Sequence, residues 1–226
     1  MPSARTVALA AAGAAFAAGV WTAVDPSDSG LSLPLAACAL IVAAAAWLET
    51  GPGSAKELAL MATLAAVAAA GRVLFAAVPG VQPVTVIVVV AGAALGMRAG
   101  IAVGATAALV SNFFLGQGPW TPWQMLAWGA CGAAGALAAP FIRGRLSFAL
   151  FCCVLGFGFS AFMDVWNWVT FFPHTWQALA ATWARGLWFD AAHAAGNFVI
   201  AFAAGPELRR MLERYGRRLH TEVVWV

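Results

Sequence analysis

Between residues 6 and 205 the chain is a succession of apolar runs broken only by short turn signals. A helix that crosses a bilayer needs about 20 mostly apolar residues. Runs at 6–24, 31–48, 58–78, 84–97, 100–116, 123–140, 147–170 and 185–205 meet or approach that length. Turn residues separate them, among them Pro79-Gly80, Arg98-Ala99-Gly100, Gly116 to Pro119 and Arg143-Gly144-Arg145. Only 9% of the residues are charged, against about 25% in a soluble domain. The pattern predicts an all-α, polytopic membrane bundle. The run at 84–97 is short and rich in Val, which calls for an untilted helix or one shielded by its neighbours. Arg5 ahead of an Ala-rich run allows a cleaved signal for the first span, but retention is the expectation.

Cys38, Cys131, Cys152 and Cys153 all sit inside apolar runs, so they read as small hydrophobes rather than as a disulfide or zinc framework. Arginine placement sets the orientation. With the N-terminus inside, Arg5, Lys56, Arg98, Arg143, Arg145, Arg209, Arg210, Arg214, Arg217 and Arg218 face the cytoplasm. Asp25 and Asp28 then face out, with Arg185 alone among the arginines near that side. Two of these spans lie within 1–50 and six within 57–205, and a basic tail (206–226) that clings to anionic membrane lipid follows.

Ionisable groups inside a span are costly and default to functional hypotheses. There are three, Arg72, Asp164 and Asp190. Counting about 1.5 Å per residue from the helix ends places all of them in the outer half. Asn112, Gln117, Gln124, Asn167, His193 and Asn197 fall at middle to outer depth by the same count, with Trp120, Trp123, Trp128, Trp166, Trp168, Trp183 and Trp188 around them. A cavity open to the outside explains this asymmetry. Part of the Trp set, Trp168, Trp176, Trp183 and Trp188 above all, suits an interfacial aromatic belt. Arg72 has two readings of equal weight, a clamp on Asp164 or Asp190, or a ligand contact. Asp190, His193 and Asn197 share one helical face, which favours a hydrogen-bonded cluster over a metal site. No metal or other cofactor is expected.

No P-loop, H-E-x-x-H or G-x-S-x-G sequence occurs, so nucleotide hydrolysis and the common hydrolase chemistries lack their residues. The inventory fits capture of a small molecule better than chemistry on one. An intramembrane enzyme using Asp164 and Asp190 on a lipid-like substrate is the alternative, and a purely structural membrane protein a third reading. Nothing calls for nucleic acid.

From Glu57 onward the chain resembles the S component, the substrate-binding membrane subunit, of energy-coupling factor (ECF) transporters. The resemblance is carried by residues 71–129, which end in VSNFFLGQGPWTPWQMLAWG, and by 189–219, FDAAHAAGNFVIAFAAGPELRRMLERYGRRL. It implies a six-helix bundle with both termini cytoplasmic in a bacterial plasma membrane. It also implies an outward cavity for a vitamin or similar micronutrient, capped by the loops at 79–83, 116–122 and 171–184. Its implied partners are a transmembrane coupling subunit and two ATPase subunits, so the missing P-loop is expected. The residues counted to middle and outer depth supply the candidate substrate site: Arg72, Asn112, Gln117, Trp120, Trp123, Gln124, Asp164, Asn167, Asp190, His193 and Asn197. The family's small-residue docking face corresponds to Ala62, Ala66 and Ala70, although Ala65 and Ala69 repeat the same spacing. Riboflavin, thiamine, a corrinoid and a deazapurine all suit such a site. GQGPWTPWQ resembles members for which cobalamin is the suggested cargo, with His193 or His174 in reach of a corrin cobalt.

Overall fold

The computed structural model describes residues 54–219; the two N-terminal spans expected at 6–24 and 31–48, with Cys38, lie outside them. The described residues form six helices, α1 (Ala55–Leu74), α2 (Val84–Leu95), α3 (Met97–Leu115), α4 (Thr121–Ala138), α5 (Arg145–Phe171) and α6 (Trp176–Leu219). The all-helical expectation holds, and α1, α3, α5 and α6 are long and apolar enough to cross a membrane. The six-span expectation is met only in number. α2 is too short, and α4, with Thr121, Trp123 and Gln124 in its first turn, is not among the membrane-length helices.

α2 explains how a 12-residue helix survives in such a bundle. At about 1.5 Å per residue it reaches only ~18 Å. It is apolar on every side, the signature of a buried helix. Residues 84–92 are all buried, and α2 packs against each of the other five helices. Of the two readings for this run, shielding by neighbours is the one realised.

Two turns differ from expectation. α2 and α3 are divided by Gly96 alone, at φ +96°, so Arg98 lies inside α3 rather than in a turn at 98–100. A residue without Cβ takes that left-handed conformation without steric cost, and one such residue suffices to end a helix. The loop expected at 171–184 shrinks to 172–175, because α6 starts at Trp176.

α6 also runs through Pro206 without ending there. Proline removes a backbone donor and leaves the carbonyl four residues earlier without its helical partner. Arg145 supplies the missing donor: its Nη1 reaches Phe202 O at 2.5 Å and Ala203 O at 3.2 Å. A side chain from α5 thus repairs the hydrogen-bond ladder of α6, and the helix continues into the basic segment.

The closest helix contacts are backbone to backbone. A Cβ built on Gly132 of α4 would collide with the Gly100 backbone of α3. One on Gly92 of α2 would strike the Gly132 carbonyl, and one on Gly104 the backbone of Trp128. Small residues at these crossings let the backbones approach, as is usual for helices packed in a membrane.

Candidate functional site

The ends of α1 and α3, the starts of α2, α4 and α6 and the end of α5 come together at one end of the bundle. Arg72, near the end of α1, is buried. Its Nη1 donates to Ser111 Oγ at 2.7 Å and Asn112 Oδ1 at 2.6 Å, both near the end of α3. Its Nη2 points to Gln124 Oε1 at 3.5 Å, in the first turn of α4. Asn112 Nδ2 in turn donates to Thr121 Oγ1 at 2.9 Å and Gln124 Oε1 at 2.8 Å. The guanidinium therefore rests on neutral oxygens. The clamp on Asp164 or Asp190 is not formed: among the described residues no carboxylate pairs with Arg72.

The guanidinium also stands over the ring of Trp128, 4.9 Å from its centroid. Trp128 is fully buried, donates from Nε1 to Thr85 Oγ1 at 3.1 Å, and stacks on Phe159 with centroids 4.1 Å apart. Phe159 then meets His193 at 5.6 Å. A continuous relay of cation, indole, phenyl and imidazole crosses the bundle from α1 to α6. Trp128, Ser111, Thr121, Thr85, Phe159 and Ser160 carry no site role in the sequence reading. The signals were present: Ser111 adjoins Asn112, Trp128 lies one turn past Gln124 on the same face, and Thr85 is the one hydroxyl in a run of Val and Ile. Thr85→Val keeps the shape and removes the acceptor, stranding the Trp128 N–H. A loss of about 1–3 kcal/mol is expected, read as a lower unfolding midpoint in a denaturing-detergent titration.

Of the cluster expected on the Asp190, His193 and Asn197 face, the hydrogen bonds form without Asp190. His193 Nδ1 meets the Gly80 carbonyl at 2.6 Å, and Asn197 Nδ2 donates to the His193 backbone carbonyl at 2.8 Å. The loop after α1, rather than Asp190, orients the imidazole, because Gly80 at φ +75° brings its backbone against Ala192 and His193. Asp190 is buried on the same helix face without a hydrogen-bond partner among the described residues. Asp164 packs its carboxylate on Gly186, where a Cβ would collide with it.

The residues of the α3–α4 turn are partly bonded among themselves. Gln117 closes the α3–α4 turn, donating to Leu109 O at 3.0 Å and accepting from Thr121 Oγ1 at 2.8 Å. Trp120 meets Trp166 edge-on at 6.3 Å and Trp123 meets Phe162 at 5.7 Å, so both join α4 to α5 at the rim. Asn167 is half-buried nearby on α5. Trp176 and Trp188 are exposed, as befits an aromatic belt, whereas Trp183 donates to Ala161 O at 3.2 Å. His174 is exposed and bound to Val169 O at 3.0 Å, apart from the relay.

Six buried side-chain atoms at this end have no hydrogen-bond partner among the described residues: Arg72 Nε, Gln82 Oε1, Ser160 Oγ, Asp164 Oδ2, His193 Nε2 and Asn197 Oδ1. Ser160 lies one turn along α5 from Gly156, whose position abuts Asn197. In the antiparallel α5–α6 pair it therefore stands level with His193. Among the described residues no group of three or more His, Cys, Asp or Glu converges in a way that could hold a metal ion. Comparison of the chain with protein-family models, with curated proteins and with solved structures returns no match.

Proposed function

We propose that the protein is the substrate-binding membrane subunit of an ECF-type micronutrient importer, and that its substrate engages the polar end of the bundle. The observation that carries this reading is a set of buried polar atoms, without partners among the described residues, on or beside one aromatic relay: Arg72 Nε and His193 Nε2 belong to it, Ser160 adjoins Phe159, and Asn197 is bonded to His193. A buried donor or acceptor without a partner costs about 1–3 kcal/mol, and several together are what a ligand with matched groups would offset. Donors and acceptors are both represented, and Trp120, Trp123 and Trp166 stand as aromatic surfaces at the rim. That combination suits a planar heterocycle bearing carbonyl and amide-like groups, with a corrinoid, riboflavin, thiamine and a deazapurine as the candidates.

Two further features support the reading. Ala62, Ala66 and Ala70 lie on the exposed face of α1 while Ala65 and Ala69 are buried, so the first stripe is available to a coupling subunit. The helix count from residue 54 onward equals the family's six.

The test is native mass spectrometry of protein purified in mild detergent, followed by calorimetry with the four candidates. One of them is expected to bind with a Kd of about 1 μM or tighter, equivalent to at least ~8 kcal/mol, and coupling and ATPase subunits are expected to co-purify. Binding of none of the four, with no ATPase partner recovered, would sink the importer reading. Turnover of a lipid by the isolated chain, abolished by Asp164→Asn or Asp190→Asn, would replace it with an enzyme.

A further inference from the structure

A cavity of about 560 Å³ lies at the other end of the bundle, between the α4–α5 turn and the stretch of α6 after Pro206. Four arginines line it, Arg143, Arg145, Arg209 and Arg210, over a floor of Phe148 and Pro206. Two of them are committed to the fold. Arg209 holds Ile142 O and Ala139 O, both at 3.0 Å, and Glu213 at 2.8 Å. Arg145 holds the Phe202 carbonyl freed by Pro206 and the neighbouring Ala203 carbonyl, and pairs with Glu207. The other two are available. Arg143 is exposed, with no partner among the described residues, and Arg210 is exposed and touches only Glu207, at 3.1 Å. Glu207 and Glu213 leave the cluster two positive charges in excess.

The surroundings of this cavity are apolar. Phe141 is 81% exposed and Leu146 57% exposed, immediately on either side of the arginine turn. Beyond them the exposed surface of α5 continues as Leu150, Val154 and Phe157. An aqueous anion would find no use for that surface, whereas a lipid acyl chain would lie along it.

We infer that this cavity is a binding site for an anionic glycerophospholipid. Its phosphate lies between Arg143 and Arg210, with the fixed guanidinium groups of Arg145 and Arg209 behind, and its chains run over Phe141 and Leu146. Basic recesses at a helix-bundle end are suited to such headgroups through charge and through the forked geometry of the guanidinium. The inference stands apart from the importer reading, since it uses none of the same residues.

The full chain is reconstituted in vesicles of phosphatidylglycerol and phosphatidylcholine in equal parts, then released for native mass spectrometry. Wild-type protein is expected to retain phosphatidylglycerol in preference to phosphatidylcholine. Arg143→Gln/Arg210→Gln is expected to reduce that retention about tenfold, and Arg143→Gln alone to reduce it partly, with helical content unchanged because neither side chain holds the backbone. Arg214→Gln/Arg218→Gln removes the same charge from the exposed tail and is expected to leave retention intact. Equal losses in the two double variants would reduce the effect to surface charge and overturn the site. So would stabilisation by inorganic phosphate in phosphatidylcholine vesicles without any preference for phosphatidylglycerol.

Discussion

Gly132→Leu is expected to abolish recovery of the folded protein. The Gly132 position faces the Gly100 backbone, and Gly92 faces the Gly132 carbonyl in turn, so α2, α3 and α4 share one contact. Overpacking usually costs about 1–3 kcal/mol when side chains can shift. Here the obstruction is main chain, and relief requires parting helices that form the centre of the bundle. A loss at or beyond the top of that range removes much of a total stability of roughly 5–15 kcal/mol. The measurement is the monodisperse fraction in size-exclusion chromatography from mild detergent. Gly158→Ala is the matched control, because nothing lies within 4 Å of a Cβ at that position. It is expected to stabilise α5 by up to about 1 kcal/mol through helix propensity. Normal recovery of Gly132→Leu would mean that the three helices do not meet at these glycines.

Arg72→Met is expected to separate binding from folding. The substitution removes the donor that serves Ser111 and Asn112; Ser111 Oγ keeps its bond to Ala108 O, so the cost is about 1–3 kcal/mol for the one stranded acceptor, Asn112 Oδ1. It also removes a cation whose placement inside an apolar helix costs up to ~2.5–3.5 kcal/mol. The two effects nearly cancel, so the unfolding midpoint should move little or rise. Affinity for the substrate identified by calorimetry should fall about 100-fold, since among the described residues the guanidinium is the cation that faces the aromatic relay. Unfolding of Arg72→Met with substrate affinity intact in the residual folded fraction would make Arg72 a structural brace instead.

Much of this fold was legible. Pro79-Gly80, Gly116 and the Arg143-Gly144-Arg145 turn all divide helices where expected. Depth counting along each helix was also enough to bring Arg72, Asn112, Gln124 and His193 to one end, because the rise per residue is fixed. Partners were not legible, because height along a helix says nothing about which neighbour stands beside it. Arg72 went to Ser111 and Asn112 rather than to a carboxylate once α1 packed on α3. His193 went to Gly80 because a loop carbonyl, invisible in a side-chain inventory, was nearer than Asp190. The start of α6 was obscured by Thr182, Arg185 and neighbouring polar residues, which lower hydropathy without ending a helix. Its continuation past Pro206 depended on Arg145, sixty-odd positions earlier, and no local rule contains that information.

The 44 residues of α6 amount to about 66 Å of helix at 1.5 Å per residue, roughly twice the thickness of the hydrocarbon layer. Proline at position 206 divides that rod into a long arm packed on α5 and a short arm of 13 residues, whose Gly216 faces Leu95 at the end of α2. The short arm is about 20 Å long, so a swing of 10° about the proline would displace its tip by roughly 3 Å. Arg145 sits at the fulcrum, holding the Phe202 and Ala203 carbonyls on the long arm and Glu207 on the short arm. Whatever loosens that one side chain would turn a continuous rod into a jointed lever.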